Sequence, residues 1–332
     1  MLRPAATVLA LLIATPAFAD DVRERPVDQT VDGAIVAGAV AASLAPIALR
    51  LRDHALWDRQ PLGALDAAAY DQLSRRAAQL SDLLLTVSVA APAAYLTGST
   101  IDDADGDRLV LYAETLAVDL ALVQVVKYLV PRPRPYLYNR SAAGRRLAEA
   151  TGDDAWRSFY SSHAAISFGA AVAGAYLLAA SNADPYARAA AWATGFALAA
   201  ATSNLRLRAG RHFPSDVLLG GLVGSAIGYA VPALHASGKP YAMTRGDAAM
   251  AGLGLVGGAL ISQLIPVGDP DDAAPVVSAR MPAKRPAVRV DQLHLGPLRV
   301  RDGAGLALSG RIRSRWGRVP LSQRPADEPA AR

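Results

Sequence analysis

The stretch Ser158-Phe-Tyr-Ser-Ser-His-Ala-Ala-Ile-Ser-Phe-Gly-Ala-Ala-Val-Ala-Gly-Ala-Tyr-Leu-Leu-Ala-Ala-Ser181 decides the fold. From Ala164 onward it carries no charge and no two-residue alternation of apolar and polar side chains, so it reads as a helix rather than a strand. Serines stand directly before the apolar run, where a helix N-cap is expected. A helix start offers unpaired N–H groups and the positive end of the dipole, a natural place for an anion. His163 falls in that first turn.

Working outward, the same kind of segment recurs at Ala34–Leu49, Leu83–Gly98, Leu109–Val126, Ala187–Asn204, Val217–Leu234 and Met250–Ile265. Each approaches the roughly 20 residues needed to cross a bilayer. Glu114 and Asp119 lie inside one of them and must face protein or water if it spans. The segments are rich in Ala and Gly, which lets helices approach closely; Gly220, Gly224 and Gly228 make one smooth helix face. The expected body is an all-α transmembrane bundle of about six core helices. Asp66–Asp82 reads as a further, amphipathic helix, with Leu65, Tyr70, Leu73, Ala77 and Leu80 near one face.

The ends differ from the body. Residues 1–19 read as an export signal: Arg3, an apolar Val8–Ala14 core, and Ala17-Phe-Ala19 as a cleavage site. From Pro266 the chain turns Pro-, Arg- and Gly-rich, with short apolar alternations at Leu293–Leu298 and Leu306–Leu308 that suggest one β-hairpin. The expected organisation is therefore a signal at 1–19, N-terminal helices and loop at 20–82, a core at 83–236, an extra apolar segment at 237–266 and a basic irregular tail at 267–332.

Composition agrees. Of 332 residues, 52% are apolar and 19% charged, with a mean hydropathy of +0.20, which excludes a disordered chain, a coiled coil and a collagen-like repeat. The absence of cysteine excludes disulfides, thiolate zinc sites and cysteine nucleophiles. A net charge of +5 invites a nucleic-acid reading, but the whole excess lies between Asp269 and Arg332 and the remaining chain is neutral, so no nucleic-acid partner is expected.

Polar residues interrupt the apolar segments in two islands. The first opens Lys127-Tyr-Leu-Val-Pro-Arg-Pro-Arg134-Pro135. Its alternating prolines end the helix and stiffen an extended chain, holding Lys127 and Arg134 in place. A planar guanidinium fork beside a point charge suits a phosphate. This island closes on Ser161, Ser162 and His163. The second reads Arg206-Leu-Arg-Ala-Gly-Arg-His212-Phe-Pro-Ser-Asp216. Asp216, four residues after His212, is expected to reach one ring nitrogen, fix the tautomer and leave the other nitrogen free for attack. Two histidines, a carboxylate and three cations at helix ends make up a phosphoryl-transfer set that calls for no metal or other cofactor.

At these residues the sequence resembles the type 2 phosphatidic acid phosphatase (PAP2) superfamily, whose blocks run K-x6-R-P, P-S-G-H and S-R-x5-H-x3-D. Lys127 and Arg134-Pro135 match the first, Ser161 and His163 the second, and Arg206, His212 and Asp216 the third. Tyr160 and Ser162 stand where the second block has Pro and Gly, and Leu205 where the third has Ser. The resemblance implies a metal-independent phosphatase. In it His212 attacks phosphorus and becomes a phosphohistidine, Asp216 orients it, and His163 protonates the leaving oxygen and then activates water. Lys127, Arg134, Arg206, Ser161 and Ser162 hold the phosphate. The apolar segments favour the membrane branch, acting on a phospholipid or polyprenyl phosphate at the inner membrane with a periplasm-facing site. A soluble periplasmic acid phosphatase of the same superfamily and a non-catalytic membrane protein remain the alternatives.

Overall fold

The computed structural model describes residues 27–48, 63–103, 106–181, 183–236, 238–267, 289–300 and 303–313. Residues 1–19, read above as an export signal, lie outside them. Nine α-helices occur among the described residues: α1 Gln29–Ala48, α2 Ala64–Ala67, α3 Arg75–Asp103, α4 Asp107–Leu129, α5 Ala142–Thr151, α6 Ser162–Ala180, α7 Pro185–Arg208, α8 Pro214–Leu234 and α9 Arg245–Leu264. The body is all-α, as the sequence predicts. The helix expected over Asp66–Asp82 is a different matter. The chain makes the single turn α2, then restarts at Arg75, because the Ser74 hydroxyl accepts from the Ala77 N–H and begins a new helix there. That helix continues past residue 82 to Asp103, which places Asp82 within it.

Helix α6 is the axle of the bundle. It packs against α3, α4, α7 and α8, and most of its length is buried. Its small side chains make this possible, and the glycines of α8 complete it. A Cβ on Gly220, Gly224 or Gly228 would stand 2.6, 2.0 or 2.6 Å from the carbonyl oxygens of Ser161, Ala165 and Gly169. The smooth face predicted from those glycines is thus the seam between α8 and α6. A second seam brings Gly254 and Gly258 of α9 against the Ala193 and Ala197 carbonyls of α7.

Among the described residues, five helices are long and apolar enough to cross a membrane: Arg75–Gly98, α4, α6, α8 and α9. Leu218 and Leu222 on α8, and Leu253, Val256, Leu260, Ile261 and Leu264 on α9, point outward. An apolar exterior over a tightly packed Ala/Gly interior is what a lipid solvent favours.

The stretch after Ala273 forms a separate unit. It contains strands β1 Arg289–Val300 and β2 Gly303–Arg313, paired antiparallel with an irregularity between Asp291 and Leu293.

Candidate active site

Four helix ends converge at one end of the bundle: the C-termini of α4 and α7 and the N-termini of α6 and α8. Each has a local reason to stop there. Helix α4 ends at Leu129, before Pro131-Arg-Pro-Arg-Pro135. That run is extended and pairs with the segment before α6: Arg134 N–H donates to Ala155 O (2.8 Å) and Ser158 N–H to Arg132 O (2.9 Å). Helix α6 starts on Ser161, whose hydroxyl accepts from the Ala164 N–H. Helix α7 ends in a turn at Gly210, φ +64°, where a Cβ would meet the Gln72 carbonyl at 2.0 Å. Helix α8 begins with Pro214 at its first position, and Asp216 Oδ2 accepts from the Phe213 N–H.

His212 is buried in the middle of this junction. Its Nδ1 lies 2.8 Å from the Ser158 carbonyl oxygen, which can only accept, so Nδ1 carries the hydrogen and Nε2 keeps its lone pair. The direct Asp216 contact expected from the sequence is not made: Asp216 Oδ2 is 3.9 Å from Nδ1. It accepts instead from Ser158 Oγ (2.5 Å) and from Phe213 N–H (3.0 Å). The carboxylate cannot both cap its own helix and turn back to the ring four residues earlier. Ser158 bridges the gap, receiving His212 on its carbonyl and giving its hydroxyl to Asp216.

Arg132 closes the arrangement from below. Its guanidinium binds Asp216 Oδ1, donates to Asp66 Oδ2 (2.7 Å) and Ser215 Oγ (2.9 Å), and lies 4.2 Å from the centre of the Phe213 ring. Asp66 also accepts from the Ser215 N–H (3.0 Å). Sequence reasoning passed over Arg132, Asp66 and Ser158. The only signal was Arg132's place in the Pro-Arg-Pro-Arg-Pro run, and Asp66 carried none.

Three cations act on the His212 ring: Arg134, Lys127 and Arg206. The Nε2 side is met by Arg134, whose Nη1 approaches that nitrogen to 3.3 Å, while its Nη2 donates to both carboxylate oxygens of Asp154 (2.9 and 3.0 Å) and its Nε to the Asp154 carbonyl (2.8 Å). Lys127 Nζ is buried and donates to Arg157 O (2.9 Å). Burial pushes the His212 imidazole well below its ordinary value, and the positive charges of Arg134, Lys127 and Arg206, with His163, push it the same way. His212 is therefore neutral in the fold.

On the other wall, His163 Nε2 lies 2.7 Å from Asp82 Oδ1, and Arg206 Nη1 reaches the same oxygen at 3.4 Å and Ser81 Oγ at 3.1 Å. Asp82 is a fourth residue the sequence did not flag. Ser161 is placed at the site, but its N–H is committed to the Asp216 carbonyl (3.1 Å), so it offers its hydroxyl rather than its amide. The three departures from the family blocks have distinct surroundings. Tyr160 is buried with Val123, Val126, Val130 and Ala165, Leu205 with Ala77, Ala78 and Ala209, and Ser162 opens α6.

One other group among the described residues could hold a cation: Asp32, Glu114 and His235, with ligating atoms within 4.8 Å of one another. His235 follows the last residue of α8, whereas Asp216 lies at its start, so that group sits a helix length, about 30 Å, from the phosphate-type cluster.

Residues 108–238 match the family model of the PAP2 superfamily. The matched segment runs from the start of α4 to just past α8 and contains Lys127, Arg134, Ser161, Ser162, His163, Arg206, His212 and Asp216, together with Arg132 and Ser158. Asp66 and Asp82 lie before it. The match supports a phosphatase-type function, that of a phosphoric ester hydrolase in general. No curated protein and no solved structure matches the chain.

Proposed function

We propose that the protein is a membrane-embedded phosphatase that hydrolyses lipid phosphate esters or pyrophosphates through a phosphohistidine on His212. The observation that carries this reading is the state of His212: Nδ1 tied to the Ser158 carbonyl, Nε2 bearing its lone pair, and three cations around it. Such a nitrogen is a poor base and a well-aimed nucleophile toward an electrophile that brings its own negative charge.

In the first step the Nε2 lone pair forms the N–P bond as the P–O bond to the alcohol breaks. The departing oxygen takes a proton from protonated His163. In the second step water attacks phosphorus and gives a proton to His163. The N–P bond then breaks, its electron pair returns to Nε2, and inorganic phosphate leaves. Arg134, Lys127 and Arg206 neutralise the equatorial oxygens, and the Arg134 contact to Nε2 is one that a phosphate oxygen would replace. Ser161 and Ser162 supply the start of α6. Asp216 acts on His212 through Ser158 rather than by touching it.

Five helices fit to cross a bilayer and a site at one end of them favour a substrate whose phosphate sits at the headgroup, such as a phospholipid or polyprenyl phosphate. With the export signal read at residues 1–19, we place that end on the periplasmic side of an inner membrane. The test is phosphate release from phosphatidic acid in mixed micelles by the full chain. His212→Ala is expected to lose at least about a thousandfold in kcat/KM while keeping its melting temperature within a few degrees. Activity retained in that variant overturns the reading. Release from a soluble phosphomonoester alone, with the protein in the soluble fraction, selects the soluble acid phosphatase instead.

A further inference from the structure

The two histidines are held by unlike means, and the partner of His163 comes from outside the matched segment. Asp82 lies on α3, one and a half to two turns from its start, and its carboxylate is aimed into the site although its side chain is 65% exposed. A surface carboxylate with water available has no need of an imidazole. Here its Oδ1 stands 2.7 Å from His163 Nε2 and also meets Arg206. A carboxylate can only accept, so Nε2 carries the hydrogen. The other ring nitrogen, Nδ1, is buried and has no hydrogen-bond partner among the described residues. The imidazole is thus anchored through one nitrogen, and the second is left without a partner among the described residues.

We infer that Asp82 is a positioning residue for acid catalysis: it fixes His163 through Nε2, stabilises the imidazolium, and makes Nδ1 the atom that hands a proton to the leaving oxygen. This rests on the phosphatase reading above and adds a residue and an atom to it. The proton balance is complete within the chain. Protonated His163 gives the Nδ1 proton to the departing alkoxide and becomes neutral, with Nε2–H still on Asp82. Water then returns a proton to Nδ1 in the second step. Removing Asp82 leaves His163 free to turn and withdraws the negative charge that supports its cationic form, an arrangement whose loss is costly in acid–base histidines generally.

Asp82 also touches Arg206, so the test must separate proton delivery from phosphate binding. Leaving groups do so. A p-nitrophenolate departs without a proton, whereas the alkoxide of a lipid phosphate does not. In a mechanism with a phosphoenzyme, kcat/KM reports only the steps up to loss of the leaving group. For Asp82→Ala in the full chain, kcat/KM for phosphatidic acid is expected to fall by about tenfold or more, and that for p-nitrophenyl phosphate by less than about threefold. Asp82→Asn, which keeps an acceptor for the Nε2 hydrogen, should fall between wild type and Asp82→Ala on the lipid, and it carries the test if the alanine variant does not fold. His163→Ala should show the same leaving-group pattern, and adding Asp82→Ala to it should cost little more.

An equal loss on both esters would mean that Asp82 acts on phosphate binding through Arg206, and overturns the inference. So does no loss on either ester, or full additivity with His163→Ala. These outcomes are distinct from failure of the phosphatase reading itself, which would show as no phosphate release from either ester by the wild-type protein and would take this inference with it.

Discussion

The two walls of the site are built differently. The His212 wall is braced: its ring is buried, and behind it Ser158, Asp216, Arg132, Asp66 and Ser215 form a continuous hydrogen-bonded set drawn from α2, the proline run after α4, the segment before α6 and the start of α8. The His163 wall is open. Its ring is 17% exposed and depends on one carboxylate that itself faces solvent. The contrast fits the two tasks proposed for these histidines. A nucleophile must meet phosphorus at a fixed distance and angle, so its position is worth a buried charge network. A proton donor must reach first a leaving oxygen and then a water, at different positions, and benefits from room to move.

The brace is the first thing to break. Arg132→Met keeps much of the volume but leaves Asp216 and Asp66 buried without their cation. Stripping one partner from a buried ionic network typically costs about 3–5 kcal/mol, so a large fall in melting temperature is expected, with loss of phosphatase activity. The matching change on the open wall, Asp82→Ala, should leave the melting temperature nearly unchanged. If both variants melt alike, the contrast between the walls is wrong.

The next effect tests what sets the walls against each other. Ser161 and Asp216 are joined backbone to backbone where α6 and α8 begin, and below them the helices touch through glycine. At Gly224 an added Cβ would stand 2.0 Å from Ala165 O, a backbone atom that cannot swing aside. Gly224→Ala should therefore cost about 1–3 kcal/mol and shift α8 against α6, lowering activity with it. Gly252→Ala on α9 meets nothing within 4 Å and should be neutral or slightly stabilising, since alanine favours the helix. Comparing melting curves and phosphate release for the pair separates a general intolerance of helix glycine replacement from a requirement at the seam.

What was legible in the sequence follows the same division. The groups that would touch phosphate could be read because they sit at short, fixed spacings beside helix-ending prolines and helix-starting serines: Lys127 and Arg134 across one proline run, His212 and Asp216 around Pro214. The helices were legible because their apolar runs are long. The supports were not. Asp66 reaches Ser215, and Asp82 reaches His163, across loops and whole helices, and no local spacing encodes those meetings. The expected His212–Asp216 bond failed for a related reason. Spacing told that the two could meet but not that Asp216 would be drawn off to cap α8 and take the Ser158 hydroxyl.

The smallest expected effect concerns the charge state that the braced wall imposes. Burial and the surrounding cations hold His212 well below its ordinary value, so the folded protein keeps it neutral while an unfolded chain takes up a proton as pH falls through about 6.5. Protons then favour the unfolded state: stability is level above that pH and declines below it, toward the folded value. Replacing His212 with Asn removes this one contribution. The variant should lose less melting temperature than wild type between pH 7 and pH 5, whatever its stability at pH 7. The sign is what matters, because an ion pair of His212 with Asp216 would do the opposite: it would raise the imidazole and make wild type gain from acid. A steeper acid decline in the Asn variant would therefore restore the direct pair and dissolve the difference between the two walls.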